Sequence, residues 1–119
     1  MTHRYIVEFR DIGQEYFRAD CGFRAGQEDL ARQYVRLIVG TLAHVAEGRV
    51  TDASSGVHVY TLRPQDKLTV NIELHLHWLS NSLAAVTRST LTPEQAHAIT
   101  ERLIAHYAAQ IAQLFQKGR

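Results

Sequence analysis

Asn71-Ile72-Glu73-Leu74-His75-Leu76-His77-Trp78 alternates polar and apolar residues at every step. That is the period of a strand with one buried face, and it predicts a strand over 68–79. The apolar side would carry Ile72, Leu74, Leu76 and Trp78. The polar side would carry Asn71, Glu73, His75 and His77, with no Lys or Arg among them.

Working back toward the N-terminus, residues 57–62 read as the preceding strand, and Pro64-Gln65-Asp66-Lys67 as the turn, with Pro where its fixed φ suits. A four-residue loop then sets Val59 against Ile72 and Val57 against Leu74 on one face. On the other face, His58 meets Glu73 and Tyr60 meets Asn71. Toward the C-terminus, residues 80–92 fit two readings. Ser80-Asn81-Ser82 could cap a short helix over 83–88, or turn the chain into a fifth strand over 83–90. The strand is the preferred expectation because it sets Leu76 against Val86, and His75 against Thr87, with both faces consistent.

Residues 3–11 and 15–21 read as a hairpin around Ile12-Gly13-Gln14. Pairing Phe9 with Phe17, Val7 with Ala19 and Tyr5 with Cys21 makes one apolar face, and Glu8 meets Arg18 on the other. From 27 to 47 the period becomes helical: Leu30, Tyr34, Val35, Ile38, Leu42 and Val45 form the stripe, and Leu37, Val39 and Ala43 widen it. Gly48 stands where a C-terminal glycine stop belongs. Thr92-Pro93-Glu94-Gln95 is a helix start, with Thr as N-cap, Pro at the first position and Gln completing a capping box. Leu103, Ile104, Tyr107, Ile111, Leu114 and Phe115 give that helix an apolar face, and Ala98, Ala105, Ala109 and Ala112 another of small side chains.

The resulting order is β-β-α-β-β-(β)-α. It predicts an α+β fold in which an antiparallel sheet of four or five strands carries two long helices packed on one face. At 119 residues the chain is sized for a single domain over 1–119. With 13 basic and 12 acidic residues, nothing in its charge draws it to nucleic acid or to an anionic membrane. The N-terminus lacks the layout of a signal peptide, and no apolar run reaches the ~20 residues of a membrane span. A lone cysteine, Cys21, excludes an intrachain disulfide and suits a reducing compartment, so the expected location is cytoplasmic.

The chemistry-bearing candidates are the residues of the polar strand face. His75 and His77 on a strand would lie about 6.5–7 Å apart on one side, with Glu73 one step further along. That set could hold a divalent metal such as zinc. Without metal, a His paired with Glu73 could act as a general base, while Tyr60 and Asn71 orient a ligand beside His58. A sheet face used for recognition needs fewer special conditions than either. The expected protein is therefore a homodimer without a cofactor that binds a small ligand or a protein partner through His58, Tyr60, Asn71, Glu73, His75 and His77. The alternative is a small metal-dependent or His/Glu-dependent enzyme of hydrolase or lyase type using the same face. The alanine side of the last helix, which lets another helix approach closely, supports self-association.

Overall fold

Strands β1 (Tyr5–Asp11), β2 (Arg18–Phe23), β3 (Val45–Asp52) and β4 (His58–Leu62) form one antiparallel sheet in the order β2-β1-β3-β4. The remaining elements are helix α1 (Glu28–Thr41), a 3-10 turn Pro64–Asp66, and the long helices α2 (Lys67–Thr87) and α3 (Pro93–Lys117). The computed structural model describes residues 3–117, Lys117 by its backbone alone. The class is α+β, with the chain in two compact units, Met1–Val70 and Asn71–Arg119. No helix among the described residues is long and apolar enough to cross a membrane.

The sheet belongs wholly to the first unit. Val7 and Phe9 of β1, Ala46 and Val50 of β3 and Leu62 of β4 are buried, as are Ala31, Val35 and Val39 of α1. These three lie four residues apart, one line down one side of a helix, and α1 packs against all four strands. Gly48 lies in the middle of this core, opposite Phe9 on β1. A Cβ there would come within 2.8 Å of the Phe9 ring and 3.0 Å of Val35 Cγ1, so glycine is required for the packing.

Two features fix α1. Glu28 and Asp29 sit in its first turn, where acids complement the helix dipole, and Glu28 pairs with Arg32 at 2.7 Å. Its last turn carries no basic residue. The missing cation comes from Lys67, whose ammonium donates to the carbonyls of Val39 (2.8 Å), Leu42 (2.7 Å) and Val45 (2.5 Å). All three N–H donors of the side chain are thereby used. Burial pushes the Lys67 pKa below its usual value.

Several expectations are corrected. Residues 68–79 are not a strand, and 83–90 is not a fifth one: α2 runs through to Thr87. Between Pro64 and Pro93 there is neither Gly nor Pro, and Pro64 begins a helical turn instead of a hairpin loop. Alternation is compatible with this helix because it is apolar on two opposed sides. At about 100° per residue, Leu68, Ile72, Leu76, Leu79, Leu83 and Val86 fall on one side and Val70, Leu74 and Trp78 on the other. The partner of β4 is β3, so Tyr60 stands opposite Val50 and His58 opposite Thr51 in place of Asn71 and Glu73. The first helix ends at Thr41, not 47, and 45–52 is a strand: Gly48 is a packing glycine, not a stop.

The first hairpin forms in a different register. Phe9 pairs with Arg18, and Val7 with Cys21 across a bulge. α1 covers a face of the sheet; α2 from Asn71 onward and α3 make up the second unit. The α3 start is as read from sequence. The Thr92 hydroxyl accepts from the Gln95 amide at 3.2 Å, and the Gln95 side chain accepts from the Thr92 amide at 3.1 Å.

Candidate functional site

β1 and β3 each contain the triplet Glu-x-Arg: Glu8-Phe9-Arg10 and Glu47-Gly48-Arg49. Antiparallel pairing sets Glu8 opposite Arg49 and Arg10 opposite Glu47, so every charge meets its opposite. Arg49 Nε donates to Glu8 Oε1 at 3.1 Å, and Arg10 Nε donates to Glu47 Oε1. Because side chains alternate along a strand, these four residues lie on the face of the sheet turned away from α1. The Arg49 guanidinium also lies 3.8 Å from the centre of the Phe17 ring, a close cation–π contact.

The network continues to His58. The Thr51 hydroxyl donates to Glu8 Oε1 at 2.8 Å and stands 2.8 Å from His58 Nδ1. A hydroxyl has one proton to give. With that proton on Glu8, Thr51 accepts from His58 Nδ1–H. This assignment leaves Nε2 of the exposed His58 ring as an acceptor. Partial burial works to raise the Glu8 pKa, but the hydrogen bonds from Arg49 and Thr51, with the nearby charge of Arg49, outweigh it and hold the carboxyl below its usual value. Glu8 is thus a fixed anion at neutral pH, tied through Thr51 to an imidazole that meets solvent.

The six residues expected to form a site divide between the two units. His58 and Tyr60 are on β4. Tyr60 belongs to a different environment from His58: Arg32 of α1 lies 5.2 Å over its ring and donates to the Val59 carbonyl at 3.1 Å. Asn71, Glu73, His75 and His77 are on α2. On a helix, His75 and His77 point ~200° apart, so the strand geometry that would converge them is absent. His75 Nδ1 donates to the Asn71 carbonyl at 2.8 Å, and its ring packs edge-on to Trp78 and Tyr107 at 5.2 and 6.3 Å. His77 Nε2 is 3.2 Å from the Asn81 side-chain amide. Glu73 and His77, four apart, share a helix face. Among the described residues no three His, Cys, Asp or Glu side chains are grouped to hold a metal ion.

Cys21 does not have the surroundings of a nucleophile. Burial raises its pKa, and the Asp20 carboxylate adds to the effect. Asp20 accepts from the Tyr34 hydroxyl at 2.6 Å, and that bond, with some burial, pushes Tyr34 up to about 12. Sequence reading missed Glu8, Thr51 and Arg49 as companions of His58. The repeated Glu-x-Arg triplet was the available signal, and it becomes legible only once 45–52 is recognised as a strand beside β1. No known protein family, curated protein or solved structure matches the chain.

Proposed function

We propose that the chain works as a homodimer whose role is recognition: the helices of the second unit pair with those of a second copy, and the open sheet face around His58 takes a small polar ligand or a protein partner. The observation that carries the self-association is the burial pattern of the second unit. Among the described residues beyond Val70, none is buried. Leu76, Ile104 and Phe115 are each about half exposed, at 50%, 48% and 52%.

α3 has a half-buried line through Ala96, Thr100, Leu103, Tyr107, Gln110 and Leu114, with alternating spacings of four and three. Beside it runs an exposed line of Ala98, Ala105 and Ala112, seven residues apart and flanked by Ile104 and Phe115. Two copies of α3 in antiparallel register set this line of small side chains against its own copy about a twofold axis. Covering a half-exposed large apolar side chain contributes about 1 kcal/mol each, from ~25 cal/mol per Å². The half-buried Cys21 thiol suits a reducing, cytoplasmic setting.

Sedimentation equilibrium tests the reading. The expected result is a dimer at tens of micromolar protein that dissociates in the double variant Ile104→Glu, Phe115→Glu. A stable monomer of the unaltered chain at about 50 µM removes it.

A second reading, a His/Glu-dependent enzyme, rests on the Glu8–Thr51–His58 chain of hydrogen bonds. It fixes one tautomer and presents Nε2 to solvent, the arrangement of an oriented general base. In that case turnover of activated esters falls to background in His58→Gln. A rate unchanged by His58→Gln excludes it.

A further inference from the structure

An open groove of about 620 Å³ lies in the first unit, lined by His3, Arg4, Ile6, Ala25, Ala53 and Ser54. Its size is within the range of small-molecule sites. Two of its polar side chains are positioned by their neighbours. The His3 ring occupies the space above Gly22 where any other residue would place a side chain: a Cβ on Gly22 would come within 2.4 Å of ring Cγ and 2.5 Å of Nδ1. Arg4 is held by Asp52, its Nε and Nη2 donating to the two carboxylate oxygens at 2.9 and 3.1 Å. Asp52 is itself fixed by the Ser54 amide (2.9 Å) and hydroxyl (2.7 Å).

We infer that this groove binds a small organic monocarboxylate, with the carboxylate on Arg4 and His3 and the apolar body on Ile6, Ala25 and Ala53. A guanidinium has five N–H donors in a planar fork. The Asp52 pair uses one edge and leaves the other for a second carboxylate. The His3 ring supplies a further N–H. The same Asp52 selects the charge of the ligand. It offsets the Arg4 cation, so a monoanion is accommodated where a phosphate dianion meets repulsion. The apolar floor selects a carboxylate with a hydrocarbon body over a bare anion. This inference is independent of the proposed self-association and of the His58 network.

Benzoate is the probe, with benzyl alcohol as its uncharged counterpart and inorganic phosphate as the bare anion. Each is titrated into the 15N-labelled full chain at constant ionic strength. Benzoate is expected to shift the amide resonances of Ile6, Ala53 and Ser54 saturably, with a Kd of about 1 mM, ordinary for a ligand of nine heavy atoms. Benzyl alcohol and phosphate are each expected to bind at least ~10-fold more weakly.

His3→Ala weakens benzoate binding about fivefold, and so does Gly22→Ala, whose Cβ displaces the His3 ring while leaving the other groove side chains unchanged. Arg4→Lys keeps the charge, loses the fork and weakens binding about 10-fold. His3 is exposed, so its variant reads binding without unfolding the sheet. The inference is overturned by any of three results: no saturable shift up to about 20 mM benzoate, equal binding of benzyl alcohol or phosphate, or an unchanged Kd in both His3→Ala and Gly22→Ala.

Discussion

The two units, Met1–Val70 and Asn71–Arg119, handle apolar surface in opposite ways. In the first, Val7, Phe9, Val35, Val39, Val45 and Val50 lie completely out of solvent. Charges on the open sheet face are matched across strands, and no buried side-chain polar atom among the described residues lacks a partner. In the second, α2 from Asn71 onward and α3 have no buried side chain among the described residues. The sheet gains closure from non-local pairing and a single covering helix. α2 and α3 are long enough to be helical on their own pattern, but they display more apolar surface than two helices can cover for each other. The first unit closes over its own core, and the second leaves large apolar side chains half exposed.

The contrast predicts that similar substitutions act differently in the two units. Phe9→Ala opens a cavity against Gly48 and Val35 and should destabilise the first unit by about 3–5 kcal/mol. Phe115→Ser, at a half-exposed ring, should change stability by no more than ~0.5 kcal/mol in dilute protein while weakening self-association. Urea unfolding followed by NMR resonances of Val50 and Ile104, one in each unit, separates the two effects. If Phe115→Ser is as damaging as Phe9→Ala in dilute monomer, the second unit has a core of its own and the contrast fails.

Lys67 gives the next largest effect. Its ammonium closes the carbonyl end of α1 and the start of β3, and those three carbonyls have no substitute donor on α1's last turn. Lys67→Met keeps the length of the side chain and removes the donors. A loss of about 2–3 kcal/mol is expected, seen as a lower urea midpoint for Val50. Lys67→Arg, whose planar fork cannot reproduce the three-way geometry of an ammonium, should recover only part of it. A neutral outcome for Lys67→Met would mean that solvent reaches those carbonyls and that the first unit is less closed than its burial implies.

The same contrast explains what the sequence made legible. The α3 start was readable because Thr92, Pro93 and Gln95 are local signals, each acting within one turn. The class of the fold and the first hairpin followed from short-range periodicity. The identity of 68–79 did not, because alternation has two solutions. A strand buries one face, and a helix with apolar residues on two opposed sides shows the same pattern. The unbroken run from Gln65 to Thr92 favours the helix, but that is a signal of length, not of period. β3 was hidden for a different reason. Ala46, Glu47 and Gly48 look like a helix end, and only the non-local match of Glu47 and Arg49 to Arg10 and Glu8 makes a strand of them. The candidate site shared this fate. His58 was found by residue type, whereas Glu8, Thr51 and Arg49 are joined to it only through the β1–β3 register.

The smallest expected effect concerns acid, and it also falls on the first unit. Asp52 accepts hydrogen bonds from the Arg4 guanidinium and from the Ser54 hydroxyl and amide, and these hold its pKa at about 2, against 3.8 ordinarily. A carboxylate with a depressed pKa binds its proton less readily folded than unfolded, so its contribution to stability is complete above about pH 4. That contribution is lost as pH falls from about 4 to about 2. The effect is modest because the Arg4 side chain is 44% exposed and its charge is screened by water. The Glu8 carboxyl is also held below its usual value, so acid acts on more than one group of this unit. The quantity to measure is therefore the difference between the parent and Asp52→Asn in the urea midpoint of the Val50 resonance. That difference should be largest at pH 5 and shrink steadily to pH 2, with the Ile104 midpoint following a course common to both proteins. Parallel Val50 curves for parent and variant would show that the Asp52 loop contributes nothing specific. Divergence at Ile104 as well would show that the two units unfold as one, and the distinction between a closed unit and one with exposed apolar surface would then have to be drawn within a single cooperative fold.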